Sequence, residues 1–108
     1  MSNLFTKPRW KTYAAQSGFV YQYVFQGARE DEYQFHAVSG TQSERTHKVV
    51  LETGLLDAWA AANRPLLEIE RFGIAKRALL AALDADPPPE VIRPDAAQIE
   101  AICRELDL

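Results

Sequence analysis

Six aromatic side chains fall at alternate positions in two short stretches, Phe19, Tyr21, Tyr23 and Phe25 in the first and Tyr33 and Phe35 in the second. Such spacing places the rings on one side of an extended chain. A sheet face of exposed rings can stack the bases of a single strand, each stacked base contributing roughly 1–3 kcal/mol. Before the rings lies a basic arm, Lys7-Pro8-Arg9-Trp10-Lys11, whose charges and indole suit phosphates or the carboxylates of an acidic protein. Tyr21, Tyr23, Tyr33, Arg9, Trp10 and Lys11 are therefore the candidate binding residues. The same rings are also the only large apolar surface on which downstream helices can pack, and the layering of domains favours that use. No Gly-rich aromatic motif of the usual RNA-binding sheet accompanies them. Three tyrosines on one face, each with a hydroxyl that needs a partner, admit a third reading, a small-ligand pocket between sheet and helices.

Other reactive groups point away from chemistry. His36 and His47 are the only histidines. The expected strand register sends them to opposite faces, His36 beside Lys48 and His47 near the edge of the apolar face, so they cannot share a metal ion. No Cys, Asp or Glu cluster has ligand spacing. Cys103 falls on the apolar stripe of a C-terminal helix and reads as a small buried hydrophobe rather than a nucleophile. Glu30-Asp31-Glu32 lacks the spaced oxygen ligands and glycine of a calcium loop. Ser17-Gly18 and Ser39-Gly40 are turn signals without the spacing of a phosphate loop or nucleophile elbow. No catalytic, cofactor or metal site is assigned, and a non-enzyme is favoured.

The elements that must position these residues follow from a change of rhythm: residues 19–52 alternate with period two, and residues 53–83 switch to helical spacing. An N-terminal arm, 1–18, holds at most a short strand near 9–14. Strands are expected at about 19–26, 32–38 and 45–51, joined by the polar loop 27–31 and the turn 39–43 into an antiparallel meander. Keeping aromatics opposed pairs Phe25 with Tyr33, Tyr23 with Phe35 and Tyr21 with Ala37. The third strand then sets Phe35 opposite Val49, Tyr33 opposite Leu51 and Ala37 near His47. Thr53 is expected to cap a helix over Leu55 to Ala62. A second helix from near Pro65 carries the stripe Leu66, Ile69, Phe72, Ala75, Leu79, Ala82 and Leu83. The run Leu66 to Glu70 also fits a strand. A Pro-rich linker, 84–94, leads to a helix over 95–107 in which Asp95 and Gln98 form a capping pair before Ile99, Ile102, Cys103 and Leu106. The expected fold is α+β: a three-stranded, or with the arm four-stranded, antiparallel meander, two helices on its aromatic face, and a C-terminal helix after the linker.

At 108 residues the chain suits one domain, with 47% hydrophobic and 25% charged residues marking it as globular. Charge is uneven: residues 1–83 carry ten Lys/Arg against eight Asp/Glu, and residues 84–108 carry two against seven. A sequence pI near 5.3 disfavours duplex DNA as a partner. Apolar runs fall far short of the roughly 20 residues of a membrane span, no secretion signal is visible, and one cysteine cannot form an internal disulfide, so a cytoplasmic location is expected. Together these readings describe a small, non-catalytic, cytoplasmic protein-interaction module, homodimeric, whose partner meets the polar sheet face, a sheet edge or the C-terminal helix. Single-stranded nucleic-acid binding and small-ligand binding are the alternatives.

Overall fold

A computed structural model describes residues 9–40 and 42–108. Lys7 and Pro8 of the arm and Thr41 of the second turn lie outside them. Alternation builds four antiparallel strands in chain order, β1 (Lys11–Ala14), β2 (Val20–Arg29), β3 (Glu32–Ser39) and β4 (Arg45–Val50). Helical periodicity then gives α1 (Thr53–Ala62) and α2 (Glu68–Leu83), followed by β5 (Val91–Ile92) and α3 (Ala96–Glu105). The sheet order is β1-β2-β3-β4-β5, with β5 parallel to β4. The fold is α+β, with one cluster of buried side chains joining the aromatic face to all three helices.

The paired register keeps the expected face but slides by two residues. Tyr23 lies opposite Ala37 and Phe25 opposite Phe35, while Tyr33 faces Val49 and Phe35 faces His47. A slide of two preserves which side chains are buried, so hydrophobic alternation alone could not detect it. Turn chemistry decides it. The strands run on to a tight turn at Glu30-Asp31, with Glu30 at a φ of 58°, and a bulge between Phe25 and Gly27 absorbs the extra residue. The five-residue loop expected over 27–31 is therefore mostly strand.

Segment 84–94 is more than a linker. Lys48 N–H donates to Glu90 O at 2.8 Å, and Val91 and Ile92 pair with Lys48 and Val49. His47, expected near the face's edge, is only 2% exposed, and its Nδ1 lies 2.7 Å from Pro89 O. That bond satisfies a polar ring inside the core. His36 does lie on the other face, opposite Thr46 rather than beside Lys48, and its Nδ1 meets the Glu44 carboxylate.

The helices begin where backbone donors find acceptors. Glu52, rather than Thr53, occupies the N-cap of α1, and no side chain caps it. α2 starts at Glu68, later than Pro65, so 66–67 is neither helix nor strand. The Glu70 carboxylate accepts Leu67 N–H at 2.9 Å and a two-pronged pair of bonds from Arg64 at 3.0 and 2.8 Å. The leucine cannot return the bond, so this is half of a capping box. The buried stripe of α2 is Ile74, Ala75, Ala78, Leu79 and Leu83. Ile69, assigned to that stripe from sequence, is 75% exposed, because it sits six residues, or about 120° of helix rotation, away from Ala75. In α3 the Asp95–Gln98 capping box forms with both bonds at 2.8 Å, and Ile99, Ile102 and Cys103 are buried.

Two outcomes follow. Deleting residues 90–108 exposes partners of Ile92, Ile99 and Ile102, whose burial is worth ~5–9 kcal/mol at 1.5–3 kcal/mol each, comparable to a whole domain's stability. Thermal unfolding followed by circular dichroism should lose its cooperative transition; a retained sharp transition would show α3 to be dispensable. Secondly, the Arg64 and Leu67 N–H bonds hold Glu70 at about 2, below its ordinary 4.5. A depressed carboxylate stabilises the fold above its unfolded value, so this contribution is complete above pH ~4.5 and fades as pH falls toward ~2. Chemical denaturation across that window should show a flatter acid limb for Glu70→Gln than for the parent chain.

Candidate functional site

The site is built where the aromatic face outruns its helical cover. β1 enters β2 through a tight hairpin: Ala15 N–H donates to Phe19 O at 2.8 Å and Gly18 N–H to Ala15 O at 3.0 Å. Gly18 takes a φ of 99°, which a side chain would resist, and this closes the turn as a glycine bulge. Register then pairs Lys11 with Tyr23 and Tyr13 with Tyr21, so the odd residues of β1 face the helices. Asp84, at the C-terminal end of α2, fastens this strand from above. Its Oδ1 accepts both the Tyr13 hydroxyl and Gln16 N–H at 2.9 Å.

α2 packs closest to β4 and β5 on the sheet. Its Phe72–Lys76 flank, one turn apart on the helix surface, therefore stands across the face from β1. Between them opens a cavity of about 410 Å³, within the size range of ligand sites. Tyr23 and Phe35, 5% and 0% exposed, form its floor. Phe25 and Phe72 form its walls, their rings 4.9 Å apart at 73°, with Phe25 also 5.3 Å from Phe35. Arg9, Lys11 and Lys76 stand on the rim, and no carboxylate lines the cleft among the described residues.

The six residues singled out from sequence are thus divided. Arg9, Lys11 and Tyr23 meet at the cleft. Trp10, 46% exposed, is not among the residues lining it. Tyr21 and Tyr33 are buried in the core, at 6% and 9% exposure. Desolvation pushes all three phenols above the ordinary tyrosine value, opposed at Tyr23 by Lys11, at Tyr21 by Arg45 and at Tyr33 by Arg71. Rings this buried cannot present their faces to a row of bases. Phe72, Lys76 and Asp84 were not singled out from sequence. The available signal for the first two was their one-turn spacing at the margin of the α2 stripe; for Asp84 there was none, since its partners lie 68 and 71 residues away.

Other reactive groups offer less. Cys103 is buried, and desolvation raises its thiol, reinforced by Glu70 and opposed by Arg64. Among the described residues no group of three or more His, Cys, Asp or Glu could hold a metal ion, and no helix is long and apolar enough to cross a membrane. A second groove of about 430 Å³ runs between α2, β5 and α3, lined mainly by small apolar side chains such as Ala78, Ala82 and Ala101. Both Arg93 and Glu105 line it, so no single charge sign selects an occupant. Compared with models of protein families, with curated proteins and with solved structures, the chain gives no match.

Asp84→Ala removes the acceptor that joins β1 to the end of α2. Two bonds to one partly exposed carboxylate are worth about 1–2 kcal/mol. Denaturant unfolding should report a loss of that size, with amide exchange accelerated chiefly in β1; unchanged exchange there would mean the strand is held by its ladder alone.

Proposed function

We propose that this protein is a small, non-catalytic interaction module that holds an acidic segment of a partner protein in the cleft between β1 and α2. The observation that carries the reading is the convergence of three cations from two places in the chain, Arg9 and Lys11 at the start of β1 and Lys76 on α2, on an aromatic-walled cavity without a lining carboxylate among the described residues. Cations gathered around apolar surface repel one another in a region of lowered dielectric, and an anion relieves that repulsion. Phe25, 36% exposed, and the half-buried Phe72 offer an apolar side chain of the same segment a place beside the charges.

A second copy of the chain is one carrier of such a segment, because residues 84–108 hold seven carboxylates against two arginines. Homodimerisation through basic cleft and acidic tail is the form this takes, and the same mass at low and high salt in sedimentation would remove it. A cytoplasmic location suits such a module. Single-stranded nucleic acid is the weaker reading, since the cleft offers a base the partly exposed Phe25 and Phe72 while the exposed Trp10 stands outside it.

A short blocked peptide alternating Glu with Thr and carrying one Phe tests the site. Titration followed by amide shifts should perturb β1, Phe25 and Phe72, and Lys11→Glu with Lys76→Glu should weaken binding about tenfold or more, equivalent to ~1.4 kcal/mol. Binding indifferent to that double reversal, or none at millimolar peptide, overturns the reading. An oligothymidylate that outcompetes the peptide replaces it with the nucleic-acid reading.

A further inference from the structure

The sheet is closed unequally. At one end β5 pairs with β4, and at the other β1 is the last strand, with nothing beyond it among the described residues. The hydrogen-bond phase of that outer edge can be worked out. Ala15 N–H bonds to Phe19 O, which makes Ala15 and Phe19 a bonded pair of the β1–β2 hairpin. Bonded and non-bonded pairs alternate along an antiparallel ladder. Tyr13–Tyr21 and Lys11–Tyr23 are then bonded pairs, whereas Thr12–Gln22 and Ala14–Val20 are not. The backbone N–H and C=O of Thr12 and Ala14 therefore point away from β2, toward the open edge.

At the Lys11 end of this edge the charged side chains are cationic, while Asp84 meets Tyr13 and Gln16 toward the other end. Lys11 faces the helices, with Arg9 two residues before it, and both reach the cleft rim. In a paired strand, the residue opposite Lys11 would stand on the same face, with its Cβ about 4.5–5.5 Å away, and the residue two further along would stand opposite Arg9. Alternate carboxylates on an incoming strand match alternate cations on β1.

Resting on the interaction-module reading above, we infer that the acidic segment enters the cleft across the open edge of β1, where part of it is taken up in extended form as a sixth strand, its backbone bonded to Thr12 and Ala14 and its alternate carboxylates set against Lys11 and Arg9. Backbone pairing supplies affinity and the charged rim supplies selectivity, the division of labour in strand-addition recognition. The occupant is a protein segment of alternating acidic pattern, because a nucleic acid has no backbone that can complete a β ladder.

The experiment uses the whole chain, the alternating Glu peptide, and two N-methylated versions of it, each blocking one alternate set of amides. In a strand the two sets point to opposite edges, so one version should lose about tenfold or more in affinity, ~1.4 kcal/mol, and the other should bind nearly as the parent. On peptide addition the amides of Thr12 and Ala14 should gain protection from hydrogen exchange, while those of Lys11 and Tyr13, bonded to β2 with or without peptide, should change little. If the Lys11→Glu, Lys76→Glu variant loses binding but neither methylated version differs from the parent and Thr12 and Ala14 stay unprotected, the strand is wrong and the cleft stands. If that variant binds the peptide as the parent chain does, the cleft reading itself fails.

Discussion

Burial of Phe35 governs how the helical layer meets the sheet. This residue lies on the middle strand, wholly inaccessible, between Phe25 on β2 and His47 on β4, and beneath Phe72 of α2. Three phenylalanines from β2, β3 and α2 in mutual contact leave little freedom for α2 to slide, since interiors are close-packed and a gap of one methylene is felt. The position of α2 then decides where α3 and β5 must return. α3 packs Ile99, Ile102 and Cys103 into the same cluster, and the segment leading into β5 brings His47's acceptor, Pro89 O, to the edge of β4. The acidic C-terminal helix belongs to the core, and only its outer face is available to anything else.

The same placement creates the cleft. With α2 over the β4–β5 side, the apolar face continues past its flank to β1, and Phe25 is left partly exposed. A protein can cover such a margin with more helix or line it with long cationic side chains, whose stems pack on the rings while their charges stay in water. Here Arg9, Lys11 and Lys76 take the second course. Asp84 is the counterweight: it ties the strand to the end of the helix without lining the cavity, so the rim keeps a single sign.

Much of this architecture was legible in the chain, and the parts that were not share a cause. Period-two spacing identified the buried aromatic face because burial selects side chains by parity, and the Asp95–Gln98 pair marked the start of α3 because capping is local. Register slid by two, since parity is blind to even shifts and the deciding features, the Glu30 turn and the bulge beside Gly27, depend on backbone angles that several sequences tolerate. β5 was hidden inside a Pro-rich stretch because two residues carry no periodicity. At the cleft, Arg9, Lys11 and Tyr23 could be picked out by residue type. Phe72, Lys76 and Asp84 could not, because their part depends on where α2 comes to rest.

The charge on β1 also bears on how the protein avoids itself. A short edge strand with unpaired backbone groups is a template for another copy of the same edge, and natural sheets blunt such edges with lysine and brevity. β1 has four residues and begins with Lys11, with Arg9 two residues earlier. Two copies joined edge to edge in antiparallel fashion with Thr12 bonded to Ala14 would set Tyr13 opposite Tyr13 and Lys11 of each copy opposite Ala15 of the other, so the two lysines would lie four residues apart along the seam. Like charges are destabilising when directly opposite, which happens only in the register that pairs Lys11 with Lys11. Charge therefore opposes that one register, and the brevity of β1 limits the others. In the proposed reading a dimer of this chain joins unlike surfaces, basic edge to acidic tail, and an acidic segment from elsewhere competes for that edge on equal chemical terms.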